Sequence, residues 1–145
     1  MQGAVAGGDR SPGAGARAMT MMFQIIGHPR TKKTSQRIVR AGGRPRIIPS
    51  KETAEWSNHA ILQLRSQLHR YRGNTFHDRQ RWNLRAVFYR RQETTADLIG
   101  HLQALCDVLE AAEVVSNDRW IRGVDGSRLD VDQKNPRVEI TLTEM

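Results

Sequence analysis

The sequence predicts an α/β (α+β) domain: a mixed β-sheet with two main helices in the order β-β-β-α-β-α-β-β. Three observations carry this. Trp56, Ala60, Ile61, Leu64 and Leu68 recur at helical spacing, as do Leu98, Leu102, Leu105, Leu109 and Ala112. Residues 81–90 and 137–142 instead alternate apolar with polar, the period of a half-buried strand. Turn residues separate these segments.

The elements follow in order. Residues 1–18, rich in Gly, Ala, Ser and Pro, read as a disordered tail, which leaves 19–145 as the folded domain. Met22 to Ile26 is a short apolar strand closed by Gly27 and Pro29. A cationic loop from His28 to Arg37 leads into a hairpin, residues 36–39 and 44–48, turning at Ala41-Gly42-Gly43. Pro45 places the second arm at a sheet edge, because proline has no N–H for a ladder. Ser50 reads as the N-cap of a first helix reaching about Arg70. In the next strand Trp82, Leu84, Ala86 and Phe88 face inward; Arg81, Asn83, Arg85, Val87 and Tyr89 form a basic outer side. The second helix covers 97–112, and two strands, 120–124 and 137–142, finish the domain.

Charge is the extreme property of the composition. The 145 residues carry a net charge of +8, unevenly spread. Residues 1–91 hold 18 Lys and Arg against 4 acids, and residues 92–145 hold 5 against 11. A basic surface for an anionic partner and a separate acidic locus follow, and nucleic acid is the commonest such partner. Cys106 is the single cysteine, which excludes an internal disulfide and a cysteine-built zinc site. No secretory signal and no apolar span of ~20 residues is present, so no membrane association and a cytoplasmic location are expected.

Asp97 opens the second helix and Asp118 lies just past its end. If the fold brings the two together, they form an oxygen site for a hard cation. Each also has a plain structural role: Asp97 as a helix cap, and Asp118, within Ser116-Asn117-Asp118, as a turn residue. Asp107 lies about 15 Å along the helix from Asp97, too far to share one ion, and reads as a hydrogen-bonding or supporting group. His101, one turn beyond Asp97, is a ligand, a proton shuttle or a phosphate contact, against the plainer reading of a satisfied surface histidine. Asp125, before Gly126, reads first as a tight-turn residue.

The chain resembles the RusA family of Holliday-junction resolvases over most of residues 22–142. Gly27-His28-Pro29 with Lys32-Lys33 is similar to the family's amino-terminal loop, and Pro49-Ser50 with Trp56 to its first helix. Asp97-Leu98, Leu102, Ala104, Asp107, Leu109, Val114-Val115, Asn117-Asp118, Ile121 and Pro136 to Ile140 continue the pattern. The family's helix opens aspartate-x-aspartate-asparagine with a lysine four residues beyond the second aspartate, and a pair of aspartates precedes the next strand. The resemblance carries the first aspartate onto Asp97 and the last onto Asp118, while Ile99, Gly100, Gln103 and Asn117 depart from it.

The resemblance implies a magnesium-dependent homodimer, with manganese as a substitute metal, that cuts branched DNA such as Holliday junctions in recombination or repair. Asp97 and Asp118 would hold the metal and act in catalysis. Asp107, His101, Asn117 and Asp125 are candidates for supporting roles. Lys32, Lys33, Arg37, Arg44 and Arg46 are expected to grip the DNA backbone. The alternative implied by Ile99 and Gln103 is a non-catalytic branched-DNA-binding protein of the same fold. A third reading, RNA binding or regulation, rests on the basic strand face.

Overall fold

The computed structural model describes residues 18–31, 36–49, 51–71, 79–93 and 97–145. Strand β1 is Thr20–Ile26, and β2 (Gln36–Ala41) and β3 (Arg44–Pro49) form a separate two-stranded hairpin. Helix α1 is Lys51–Leu68, followed by a 3₁₀ turn at His69–Tyr71. Then come β4 (Trp82–Arg90), α2 (Leu98–Ala111), a 3₁₀ turn at Asp118–Trp120, β5 (Ile121–Gly123), β6 (Arg128–Val131) and β7 (Arg137–Glu144).

The expected mixed sheet with two helices is present. It runs β1-β7-β4, with β7 antiparallel to both neighbours. The far edge of β4 is shared: β5 pairs with it in parallel at Trp82 and Asn83, and β6 in parallel from Val87 to Arg90. The gap between is filled by side chains. Asn83 Oδ1 accepts from the Asp125 N–H at 3.0 Å, and Ser127 Oγ donates to Leu84 O and accepts from Ala86 N–H, both at 3.0 Å.

Strand β6 went unforeseen because Arg-Leu-Asp-Val is short and lacks a clean alternation; its leucine is only half-buried. The strand expected over 120–124 is shorter, since Asn117 caps a 3₁₀ turn that takes Asp118 to Trp120. Val87, placed by alternation on the outer side, is 1% exposed, at the position where β6 joins the edge. The hairpin turn is tighter than expected: Ala41 pairs with Arg44, leaving Gly42 and Gly43 at φ of 61° and 78°. Such a turn needs positive φ at both central residues, which glycine alone supplies without steric cost. Ser50 lies outside the described residues, as do 1–17 of the expected tail.

Alternation puts Met21, Phe23 and Ile25 of β1, Val138, Ile140 and Leu142 of β7, and Trp82, Leu84, Ala86 and Phe88 of β4 into one core. Trp56, Ala60 and Leu64 of α1 and Leu102, Leu105, Val108 and Leu109 of α2 cover that face, so both helices lie on one side of the sheet.

The outer edge of β1 is closed by side chains of α1 and the turn after it. Gln63 Oε1 accepts from Ile26 N–H at 2.8 Å, and Gln67 Oε1 from Gln24 N–H at 2.8 Å. The same amides donate back to Ile26 O at 3.3 Å and Gln24 O at 2.6 Å. Tyr71 Oη accepts from Met22 N–H at 2.7 Å, and Arg70 Nη2 donates to Met22 O at 2.7 Å. Exposed edge groups are otherwise templates for pairing with another chain. Among the described residues no helix is long and apolar enough to cross a membrane.

Candidate nucleic-acid interface

Helix α2 carries Asp97 at its start and Asp107 within it, and Asp118 is tied to its far end, so it holds the two chief acids apart. Asp97 is its N-cap: Oδ1 accepts from the Gly100 N–H at 2.6 Å. A side-chain carbon at Gly100 would collide with that carboxylate, so the glycine leaves room for the cap. Asp118 sits beyond the other end, its N–H donating to Glu110 Oε1 at 2.9 Å. Asp97 and Glu110 are thirteen residues apart, about 20 Å of helix axis at ~1.5 Å per residue. The sheet agrees. Ile121, just after Asp118, pairs with the first residue of β4, whereas His101, one turn after Asp97, contacts the last. The expectation that the two carboxylates meet within one protomer is therefore not met, for the same reason of helix rise that separates Asp97 from Asp107.

The supporting candidates divide between these ends. Asp107 is half-buried and accepts from Gln103 Nε2 at 3.2 Å, so Gln103 points along the helix to an acid. Asn117 Oδ1 accepts from Arg119 N–H at 3.0 Å, a capping role. Asp125 is in the turn between β5 and β6, its backbone held by Asn83. Among the described residues, no group of three or more His, Cys, Asp or Glu could hold a metal ion. A single protomer thus does not fit a magnesium site at Asp97 and Asp118.

His101 is not a surface residue. It is 1% exposed, packed edge-on against Phe88 at 5.2 Å between ring centroids. Arg90 Nη1 lies 2.6 Å from His101 Nε2, and a guanidinium can only donate, so Nε2 is the acceptor and the proton sits on Nδ1. Nδ1–H donates to Asp97 O at 2.8 Å, completing a relay from cap to helix to strand. Burial, with Arg90 adding to it, holds the imidazole below the usual histidine range and therefore neutral. Both ring nitrogens are engaged, so metal ligation by His101 would require giving up Arg90 or Asp97 O.

The opposite end is acidic. Cys106, half-buried, has its thiol pushed up to about 11 by burial and by Asp118 and Asp107. Glu113 follows the helix in the left-handed region, φ 63°, a conformation glycine adopts more readily.

Sequence reasoning missed a strongly cationic feature, a cleft of about 620 Å³ lined by His28, Arg30, Arg90, Arg91, Gln92 and Gln133. It lies at the end of β4 nearest the start of α2. The parity of β4 held a signal for it, because Arg90 shares the inward side with Trp82, Leu84, Ala86 and Phe88. A cation on the apolar side of a strand must find partners or a ligand. The DNA-gripping residues chosen from the sequence are less fully placed. Lys32 and Lys33 lie outside the described residues; Arg37, Arg44 and Arg46 pair with Ile48, Ala41 and Val39 in the hairpin, and their side chains lie outside the description. No protein-family model and no curated protein matches the chain.

Proposed function

We propose that the chain is a branched-DNA endonuclease that works as a magnesium-dependent homodimer, with each metal site shared between protomers. The observation that supports this reading is the cationic cleft beside Asp97, and the placement of Asp97 and Asp118 at opposite ends of one helix is what requires the sharing. In a two-fold dimer, contact of residue i with residue j is matched by contact of j with i. Two α2 helices packed antiparallel would thus bring Asp97 of each copy to Asp118 of the other, forming two equivalent sites. Ile99, 74% exposed on α2, supplies apolar surface for such a contact. Magnesium bound there supplies Lewis acidity and a more acidic water. The cleft's arginines hold the backbone without reading sequence.

The test is a fluescently labelled four-way junction with magnesium or manganese. Wild type nicks it, and Asp97→Asn and Asp118→Asn each stop the reaction. A refolded mixture of the two variants should regain about a quarter of wild-type nicking, because half the random dimers carry one intact site. No recovery in verified mixed dimers overturns the sharing. Failure of wild type to cut with either metal overturns the nuclease. The second reading, junction binding without cutting, is favoured by Gln103 being spent on Asp107 where the family has lysine. It predicts salt-sensitive binding unaffected by chelator.

A further inference from the structure

The cleft is built almost entirely of donors. His28 Nδ1 accepts from the Arg91 N–H at 3.3 Å, so the ring's proton is on Nε2. His28 is driven down to about 4, by burial first and then by Arg90, Arg30 and Arg91, and so contributes a neutral N–H at pH 7. Arg90 is fixed in place by Pro29 O at 3.3 Å and by His101, yet its Nε is buried with no hydrogen-bond partner. None of the lining residues is a carboxylate. The nearby Asp132 has its carboxylate held by Arg137 at 2.8 Å, and it is its N–H that meets Arg90 O. Among the described residues no carboxylate forms an ion pair with Arg30, Arg90 or Arg91.

Three guanidinium groups lining one cleft with no counter-charge paired to them among the described residues are electrostatically costly. Burial and Arg30 hold Arg90 below its ordinary value, which is that cost expressed at one group. A tetrahedral oxyanion removes it, since it accepts forked guanidinium bonds and a neutral imidazole N–H together. We infer that the cleft of His28, Arg30, Arg90 and Arg91 is a seat for one phosphate group of a phosphoester, with Arg90 held for it by His101. The inference rests on the DNA reading only for its choice of polymer as the ligand; the phosphate chemistry is independent of Asp97 and Asp118.

The experiment follows the arginine Nε–H and histidine ring resonances of the full chain by ¹H–¹⁵N NMR. The probes are inorganic phosphate, a deoxynucleoside 5′-monophosphate and a short single-stranded DNA, each against chloride of equal ionic strength. Saturable shifts at Arg90 and His28 with all three are expected, tightest for the DNA. Arg30→Gln with Arg91→Gln should weaken each by roughly tenfold or more, with the melting temperature held or raised because the repulsion is relieved. No saturable shift at these groups, the same shifts with chloride, or undiminished affinity in the double variant would overturn the seat. Response to the small phosphates but not to DNA upholds the seat and removes the polymer. DNA binding that leaves Arg90 and His28 unmoved removes the seat and leaves the DNA reading standing.

Discussion

The two ends of α2 solve the same problem, how to finish a helix, with opposite charges. At the start, a carboxylate cap, a buried imidazole and a strand-end guanidinium are joined in one hydrogen-bonded chain that opens onto a cationic cleft. At the finish, Asp118 and Asp107 act on a half-buried thiol, Glu110 accepts from the Asp118 N–H, and a left-handed glutamate follows the helix. The first end is over-determined by buried polar contacts; the second is a loose collection of half-exposed acids. Buried polar networks are costly to disturb, and exposed ones are not. The cationic end is therefore the one whose disturbance should cost stability, and the acidic end the one that tolerates change.

His101→Ala should test this most severely. It removes the acceptor of Arg90 and the donor to Asp97 O and leaves a hole beside Phe88, costing about 2–4 kcal/mol in chemical denaturation. Asp118→Asn, by contrast, should change stability by less than about 0.5 kcal/mol. A cost for His101→Ala no larger than that for Asp118→Asn would erase the distinction. Asp97→Ala should fall between, at about 1 kcal/mol, the usual value of a cap.

Acid should also weaken the cationic end. His28 and His101 both bind protons more weakly folded than unfolded. The contribution of each is complete above the ordinary histidine value of 6.5 and is lost as pH falls below it, for His28 toward about 4. Melting temperature should therefore drop from pH 7 to pH 5, and removing both histidines should flatten that part of the profile. At the acidic end the smallest effect is chemical. Cys106 should be alkylated at pH 8 roughly a hundredfold more slowly than a free cysteine, and Asp118→Asn should speed it modestly. Alkylation as fast as free cysteine would show that the acids and burial do not act on the thiol.

Much of this was legible in the sequence, because periodicity reports burial directly. Trp56, Ala60 and Leu64 and the alternation of Trp82, Leu84, Ala86 and Phe88 placed α1 and β4 within a few residues. Asp97 at the helix start and Asn117-Asp118 in a turn were recognisable for what local hydrogen bonding makes of them. What could not be read was long-range placement. Whether Asp118 returns to Asp97 depends on which end of β4 receives β5, and the pairing of Ile121 with Trp82 decides it. The Arg90–His101 contact joins residues eleven apart across a loop, and no local pattern marks it beyond the inward parity of Arg90.

The glutamine and tyrosine rungs along β1 work as a vernier. Four residues of α-helix climb about 6.0 Å, whereas two residues of antiparallel strand advance about 6.8 Å, so Gln63 and Gln67 meet Ile26 and Gln24 with a small lag. A third rung at constant pitch would fall further behind. The chain tightens there into its 3₁₀ turn, whose rise of about 2.0 Å per residue recovers the lost distance and delivers Tyr71 to Met22. That border of the sheet is consequently spoken for along the three rungs and closed to the addition of a further strand.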